Sequence, residues 1–154
     1  MATPLDTYLL DTNIIIHLVR GSALGQAASE LIGPDTGLSR CAISVVTVGE
    51  IYSFALQQTW GEKKVSHLMD LVAQVVQIDI NYPETLTTYA ELDALSRSGG
   101  VRMGKNDLWI AATARVTARL TGVTLLTTDR DFDHLHPDYL KRVRFDPQTG
   151  KALP

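Results

Sequence analysis

Four acidic side chains stand beside apolar segments of this chain: Asp11, Glu50, Asp107 and Asp129. Carboxylates brought within a few ångström of one another repel, so protonation or a bound cation must relieve the repulsion. Oxygen ligands without a histidine or cysteine cluster suit Mg²⁺ or Mn²⁺ rather than zinc. If the four acids meet in space, they predict a divalent metal site of the kind that performs phosphoryl chemistry.

Apolar runs predict the strands that carry two of these acids. One run at 8–10 ends at Asp11, and the run "VTLLTT" at 123–128 ends at Asp129. Strands that alternate with helices imply a parallel sheet covered on both faces, a three-layer α/β/α sandwich. The remaining predicted elements are strands over 38–44 and 75–80, helices over about 12–20, 23–32, 45–58, 62–73, 83–97 and 106–120, and a turn over 33–37.

This sheet places all four acids at one edge. In an open parallel sheet, ligands bind outside the carboxyl ends of the strands, where loops converge and helices begin. Glu50 lies early in a helix that Ser44 can cap, and Asp107 begins the clearest amphipathic helix. The predicted apolar side of that last helix consists of Leu108, Ala111, Ala112, Val116 and Leu120.

Length and composition bound the class of protein. The chain has 154 residues, 45% of them hydrophobic, so we expect one domain over 1–154, with a core over about 6–145 and a short, loose C-terminal tail. The net charge of −3 excludes binding to nucleic acid by overall positive charge alone. The single cysteine, Cys41, is expected to be buried. Without a basic leader or an apolar run of roughly 20 residues, we expect a soluble, cytoplasmic chain that does not enter a membrane.

Each acid also has a structural interpretation that the sequence leaves open. Asp11 could cap the helix that begins near Thr12, and Asp107 could be favoured by the dipole at its helix N-terminus. Glu50 could reach solvent at the edge of its helix, although a lone buried glutamate would be costly. Joint placement at one sheet edge is stronger evidence than any single acid.

The segment after the last predicted strand contains three aspartates. Asp129 shares "TTDRDFD" with Asp131 and Asp133, so any of the three could face a site. His134 and His136 alternate as in an extended segment and could bind metal. We interpret them instead as part of a surface turn.

Four segments in order resemble the motifs of one family: "LLDTNIII", "ISVVTVGEIY", "NDLWIAATA" and "LLTTDRDFDHL". Over nearly its whole length the chain looks like a PIN-domain nuclease, most closely the VapC-type toxins of bacterial and archaeal toxin–antitoxin pairs. The resemblance implies that Asp11, Glu50, Asp107 and Asp129 are the catalytic, metal-binding acids. It also implies that Thr12, Asn13 and Thr127 orient ligands or water around them. Helix capping is an equally good account of Asn13.

The resemblance further implies an activity and partners. Family members hydrolyse RNA with Mg²⁺ or Mn²⁺, pair as homodimers and are silenced by a cognate antitoxin of the VapB type. The acidic balance of the chain suits a basic antitoxin tail. Arg102 and Lys105 are candidate RNA contacts, with solvated surface charges as the alternative. Trp60 and Trp109 are interpreted as packing or dimer-surface residues rather than base-stacking platforms, because no second aromatic accompanies either in sequence.

Two rival functions are weaker. A haloacid-dehalogenase-like phosphatase also begins with a strand-end aspartate and uses Mg²⁺, but it needs a second aspartate where this chain has Asn13. A catalytically silent PIN-like module that binds RNA or protein would be expected to have lost acids from the cluster. All four are present here.

Overall fold

A six-stranded sheet forms the centre of the structure, a computed structural model that describes residues 6–33 and 37–154. Most of the turn predicted over 33–37 therefore lies outside the described residues. The strands are β1 (Tyr8–Leu10), β2 (Cys41–Ser44), β3 (Val76–Ile78), β4 (Thr124–Thr127), β5 (Lys141–Phe145) and β6 (Ala152–Leu153). Their order is β3-β2-β1-β4-β5-β6, and all neighbours are parallel except β5 and β6.

Six α-helices occur within the described parts of the chain: α1 (Thr12–Arg20), α2 (Ala23–Ile32), α3 (Val45–Gln57), α4 (Glu62–Gln74), α5 (Pro83–Ser98) and α6 (Lys105–Thr121). Short 3₁₀ helices at Gly37–Arg40 and Arg130–Leu135 precede β2 and follow β4. Over these same residues, no helix has the length and apolarity needed to cross a bilayer.

The sheet separates two hydrophobic cores. Along β1, Tyr8 and Leu10 enter one core with residues of α1 to α4, whereas Leu9 enters the other with residues of α5 and α6. A pleated strand covered on both faces produces this alternation. The predicted three-layer α/β/α sandwich is confirmed, and Cys41 is buried within it as expected.

Two strands lead directly into helices, and the residue at each junction caps the helix. Asp11 accepts the Thr12 N–H at 2.8 Å, and Ser44 Oγ accepts the Val46 N–H at 3.2 Å. Such side chains satisfy backbone donors that would otherwise be unpaired at the helix start. The first turns of α1 and α3 are thereby held at the carboxyl edge of the sheet.

Two predicted strands are shorter in the structure. Residues 38–40 form part of a 3₁₀ helix, which Arg40 holds by donating to the carbonyl oxygen of Ile32. The strand predicted over 75–80 is limited to β3, because the Asp79 carboxylate accepts a backbone N–H two residues on and turns the chain. In both cases side-chain to backbone hydrogen bonds override an apolar pattern.

The predicted apolar side of α6 is only partly buried. Leu108, Ala111 and Ala112 lie in the core, but 79% of the Leu120 surface is exposed. Leu120 lies in the last turn of the helix, where it lines an open apolar groove with Tyr82 instead of the core. Helical periodicity predicts which side is apolar but not where the layer beneath it ends.

The chain after Phe145 turns back onto the sheet, so the prediction of a loose tail is wrong. The Asp146 carboxylate accepts two backbone N–H groups of the turn, and β6 then pairs with β5. Gly150 has a φ of 73°, and a Cβ there would lie 2.9 Å from the Ala23 carbonyl oxygen. Glycine suits both conditions, so this polar segment packs closely without an apolar pattern.

Gly25 marks a close approach between α1 and α2, since a Cβ there would lie 2.2 Å from the backbone oxygen of His17. We expect Gly25→Ala to lower the free energy of unfolding by about 1–3 kcal/mol, because one helix backbone must move. Urea denaturation measures the change. Gly49→Ala in α3 is the matched control, because open space surrounds its Cβ position and alanine is the better helix former. Equal stability of Gly25→Ala and the parent chain would contradict the close approach.

Candidate active site

The carboxyl ends of the central strands open into one pocket of about 810 Å³. Asp11 follows β1, and Asp129 follows the parallel neighbour β4. Glu50 reaches the same pocket from α3, and Asp107 reaches it from the first turn of α6. The structure brings together the four acids named from the sequence, and their roles as metal ligands stay a prediction.

Asp11 is the most enclosed of these acids, with 4% of its surface exposed. Its Oδ1 accepts the Thr12 N–H at 2.8 Å, and its Oδ2 accepts the Thr127 hydroxyl at 2.7 Å. Burial raises the pKa of Asp11 from 3.8 to about 6; the two hydrogen bonds oppose this rise, and the charges of Glu50 and Asp129 add to it. Asp11 therefore caps α1 and faces the pocket at the same time.

Glu50 has a donor on each carboxylate oxygen. Thr12 Oγ1 donates to Oε1 at 2.6 Å, and Asn106 Nδ2 donates to Oε2 at 3.1 Å. Thr12 belongs to α1 and Asn106 to α6, so Glu50 joins the first turns of these helices to α3. The interpretation in which Glu50 merely reaches solvent is therefore wrong.

Three carboxylates form the densest part of the cluster. One oxygen from each of Asp107, Asp129 and Asp131 lies within 4.8 Å of the other two. Burial, followed by the negative charges of the other acids, raises the pKa of Asp107 from 3.8 to about 7. Burial and the charge of Asp129 also raise the pKa of Asp131. Carboxyl groups that resist ionisation in this way favour a cation at their centre.

Asp133, the last aspartate of the segment "TTDRDFD", forms ion pairs away from the acidic cluster. Asp133 forms ion pairs with Arg142 at 2.9 Å and Arg144 at 3.1 Å, both on β5. Because these cations neutralise it, Asp133 drops out of the three alternatives left open by the sequence. Asp129 and Asp131 both remain in the acidic cluster.

The two histidines that follow make structural hydrogen bonds. His134 Nε2 lies 2.7 Å from the Ser96 hydroxyl, and His136 Nδ1 accepts the Arg142 N–H at 3.1 Å. Neither belongs to the group of described residues whose ligand atoms converge for a metal ion. This agrees with a turn rather than a histidine metal site.

The hydroxyl and amide residues beside the acids differ in what they contact. Thr127 donates to Asp11, and its oxygen accepts the Asp129 N–H at 3.0 Å, so it links two strand ends. Asn13 is exposed and donates to Thr128 Oγ1 at 3.3 Å. Helix capping by Asn13 is wrong, because Asp11 occupies the N-cap.

Sequence reasoning missed Asn106 as a contact of Glu50. Asparagine near a helix start is ordinarily explained by capping, so its type gives no signal of a partner 56 positions away. The candidate RNA contacts Arg102 and Lys105 are exposed and do not belong to the described lining of the pocket. Their role stays a prediction.

Trp60 and Trp109 both pack against other aromatic rings. Trp109 stacks on Tyr89 with centroids 4.0 Å apart, and Trp60 meets Phe54 edge to face at 5.7 Å. The predicted packing of both side chains is confirmed. Each has an aromatic neighbour that sequence separation conceals.

Sequence comparison finds similar proteins that are named ribonucleases. The chain is 27% identical over 109 residues to Ribonuclease VapC2 of Haemophilus influenzae, covering 70% of this chain and 78% of the relative. It is 28% identical over 109 residues to Ribonuclease VapC1 of the same species, with the same coverage of both chains.

Solved structures share the fold at low sequence identity. The VapBC2 complex of Rickettsia felis, bound to a promoter DNA fragment, matches with a TM-score of 0.72 at 24% identity, covering 91% of this chain and 99% of that one. DNA-bound VapBC of Salmonella typhimurium matches with a TM-score of 0.70 at 19% identity, covering 89% and 96%. The model of the PIN domain matches residues 8–136, which include β1, β4 and every acid around the pocket. This chain therefore belongs to the PIN domain family.

Proposed function

We propose that this protein is a Mg²⁺- or Mn²⁺-dependent ribonuclease that hydrolyses RNA phosphodiester bonds, and that it is the toxin of a VapBC-type toxin–antitoxin pair. The observation that carries the proposal is the convergence of Asp11, Glu50, Asp107, Asp129 and Asp131 around one open pocket. The relatives named Ribonuclease VapC support the substrate class.

The donor set fits a hard divalent cation. Asp11, Glu50, Asp107 and Asp129, the four acids named from the sequence, would hold it together with Asp131, and all five offer only carboxylate oxygens. When bound, such an ion lowers the pKa of a coordinated water and stabilises the leaving oxygen. The raised pKa values of Asp11 and Asp107 mean that protons must leave before both carboxylates can bind a cation.

Neutral side chains hold these acids in position. Thr12 contacts Asp11 through its N–H and Glu50 through its hydroxyl, so one residue sets the spacing of two acids. Thr127 and Asn106 fix the other oxygen of each carboxylate. Each carboxylate oxygen has further lone pairs for a metal ion.

The rival functions fit less well. The position at which a haloacid-dehalogenase-like phosphatase needs its second acid holds Asn13, whose amide donates to Thr128. A silent PIN-like module does not require an intact acidic pocket, yet all four acids are present here, and burial, to which neighbouring negative charges add, raises the pKa values of Asp11 and Asp107. Both observations favour the nuclease.

The proposed partners are an RNA substrate, a VapB-type antitoxin and a second copy of the chain, in the cytoplasm. A basic antitoxin tail suits the acidic pocket, where an arginine could take the place of the cation. Exposed Tyr82, Leu86 and Leu120 support a homodimer, because apolar surface of this kind favours association. Arg102 and Lys105 remain proposed RNA contacts.

Asp107→Asn and Asp11→Asn should each reduce RNA cleavage at least about 100-fold, because each removes a charge from the cluster while keeping its shape. Cleavage of a panel of RNAs with Mg²⁺ or Mn²⁺ measures the loss. Asp93→Asn is the matched control, since Asp93 pairs with Arg97 on the surface of α5, away from the pocket. Cleavage by Asp107→Asn at the parental rate would refute the catalytic assignment. Release of phosphate from small phosphomonoesters would favour the phosphatase instead.

The metal-free chain should lose stability as pH rises from about 4 to 7. Asp11 and Asp107 have pKa values of about 6 and 7 in the fold against an ordinary 3.8, so their contribution is complete below pH 4 and is lost as each ionises. For Asp11 the loss is about 3 kcal/mol, since one pKa unit corresponds to about 1.4 kcal/mol. Urea denaturation in EDTA gives the free energy of unfolding of the parent chain and of Asp11→Asn at each pH, and the difference between them isolates this contribution. If the stabilities of the parent chain and of Asp11→Asn changed with pH in parallel, the contribution assigned to Asp11 would be contradicted. Addition of Mn²⁺ should restore the stability of the parent chain at pH 8.

A further inference from the structure

Two cations cover two aromatic rings beside the acidic pocket. The Arg20 guanidinium carbon lies 5.3 Å from the centroid of the Phe54 ring, and Lys64 Nζ lies 4.5 Å from the centroid of the Trp60 ring. The rings themselves meet edge to face, with centroids 5.7 Å apart. We call these four residues the aromatic shelf.

The aromatic shelf continues the pocket along α3. Phe54 follows Glu50 by one helical turn, about 6 Å along the helix axis, and it lines the pocket together with Ser53 and Gln57. An extended ligand bound at the acids therefore reaches Phe54 and Arg20 if it continues along α3 in this direction.

Within the parts of the chain that the structure describes, the charges of the aromatic shelf have no acidic partner. Among the described residues, ion pairs are formed by Arg97, Arg142 and Arg144, and neither Arg20 nor Lys64 has a carboxylate within 4.0 Å. An aromatic face orients a cation without neutralising it, and a stacked guanidinium keeps its N–H groups free in its own plane. Arg20 and Lys64 thus present two positive charges beside an acidic pocket.

We propose that the aromatic shelf binds backbone phosphates of single-stranded RNA, adjacent to the phosphate that the acids receive. The inference rests on the proposed nuclease function and identifies the direction in which the substrate extends. The acids repel every phosphate except one that a cation bridges, so affinity must come from positive charge nearby. Cations combined with aromatic side chains are typical of single-strand binding surfaces. A basic antitoxin tail would be repelled here, so the charge of the aromatic shelf favours RNA.

Fluorescence anisotropy of a labelled oligouridylate of roughly 12 nucleotides tests the proposal. Binding is measured in EDTA, over a series of monovalent salt concentrations, for Arg20→Ala, Lys64→Ala and the double variant. The double variant should bind about tenfold more weakly, and the slope of log affinity against log salt should fall by about 1.4, because each lost phosphate contact removes about 0.7. Arg20→Lys should keep most of the slope.

Exposed cations outside the aromatic shelf provide the matched controls. Arg119→Ala on α6 and Lys141→Ala on β5 remove the same charges from other surfaces and should leave the slope unchanged. Wild-type affinity and slope in the double variant, or equal losses in the controls, would overturn the proposal. Unchanged RNA binding with loss of binding to polyglutamate would assign the aromatic shelf to an acidic protein partner and would also overturn it.

Cleavage kinetics separate this inference from the proposed function. If both hold, the double variant should cleave RNA with a raised KM and an unchanged kcat, because the aromatic shelf contacts the ground state and the transition state equally. If the parent chain binds RNA through Arg20 and Lys64 but cuts none, the nuclease assignment fails and the aromatic shelf stands. If the parent cuts RNA and the double variant binds normally, only the aromatic shelf fails.

Discussion

The cost of burying several carboxylates in one pocket, increased by their mutual repulsion, is the constraint on which the rest of this structure depends. The pKa values of Asp11, Asp107 and Asp131 are all raised, and burial is the largest cause for each. Uncharged residues of the same shape would avoid this cost, so the charged cluster needs protonation or a bound cation to relieve it. Without that cation, the surrounding structure must hold together acids that would otherwise separate and move into solvent.

Neutral donors, rather than cations, provide this resistance. Thr12, Thr127 and Asn106 donate to carboxylate oxygens at the pocket, whereas the described ion pairs of the chain lie elsewhere. An arginine within the pocket would neutralise the acids permanently and compete with a divalent ion. Hydroxyl and amide groups fix the direction of each carboxylate and leave its charge available. The pocket therefore keeps both its geometry and its negative charge.

The hydrophobic pattern was sufficient to predict elements with a strong period. It located β1 and α2, because apolar spacing and a following polar or glycine residue mark both. It missed β5, the strand between β4 and β6, because three of its five residues are charged. Two of these, Arg142 and Arg144, are paired with Asp133, so a strand inside the sheet has the composition of a surface segment.

That missed strand also explains why the acidic site could be predicted only in outline. The rule that ligands bind at the carboxyl ends of parallel strands gathers Asp11 and Asp129 from sequence alone. It cannot decide among neighbouring aspartates in one turn, because the decision depends on cations that β5 brings to Asp133. Side-chain partners across the sheet are determined by tertiary packing, which the local sequence does not reveal.

The acidic pocket and the aromatic shelf beside it carry opposite charges, and this separates two steps in the proposed reaction. At the aromatic shelf, Arg20 and Lys64 attract phosphate by charge, so association there weakens as monovalent salt rises. At the acids, the negative side chains repel phosphate, and a divalent cation held by these carboxylates would supply the charge that the chemical step needs. RNA can therefore be held without being cut, which a net charge of −3 would not suggest. Holding and cutting are governed by different ions because the acids line the pocket, whereas Arg20 covers Phe54, which lies one turn of α3 beyond Glu50.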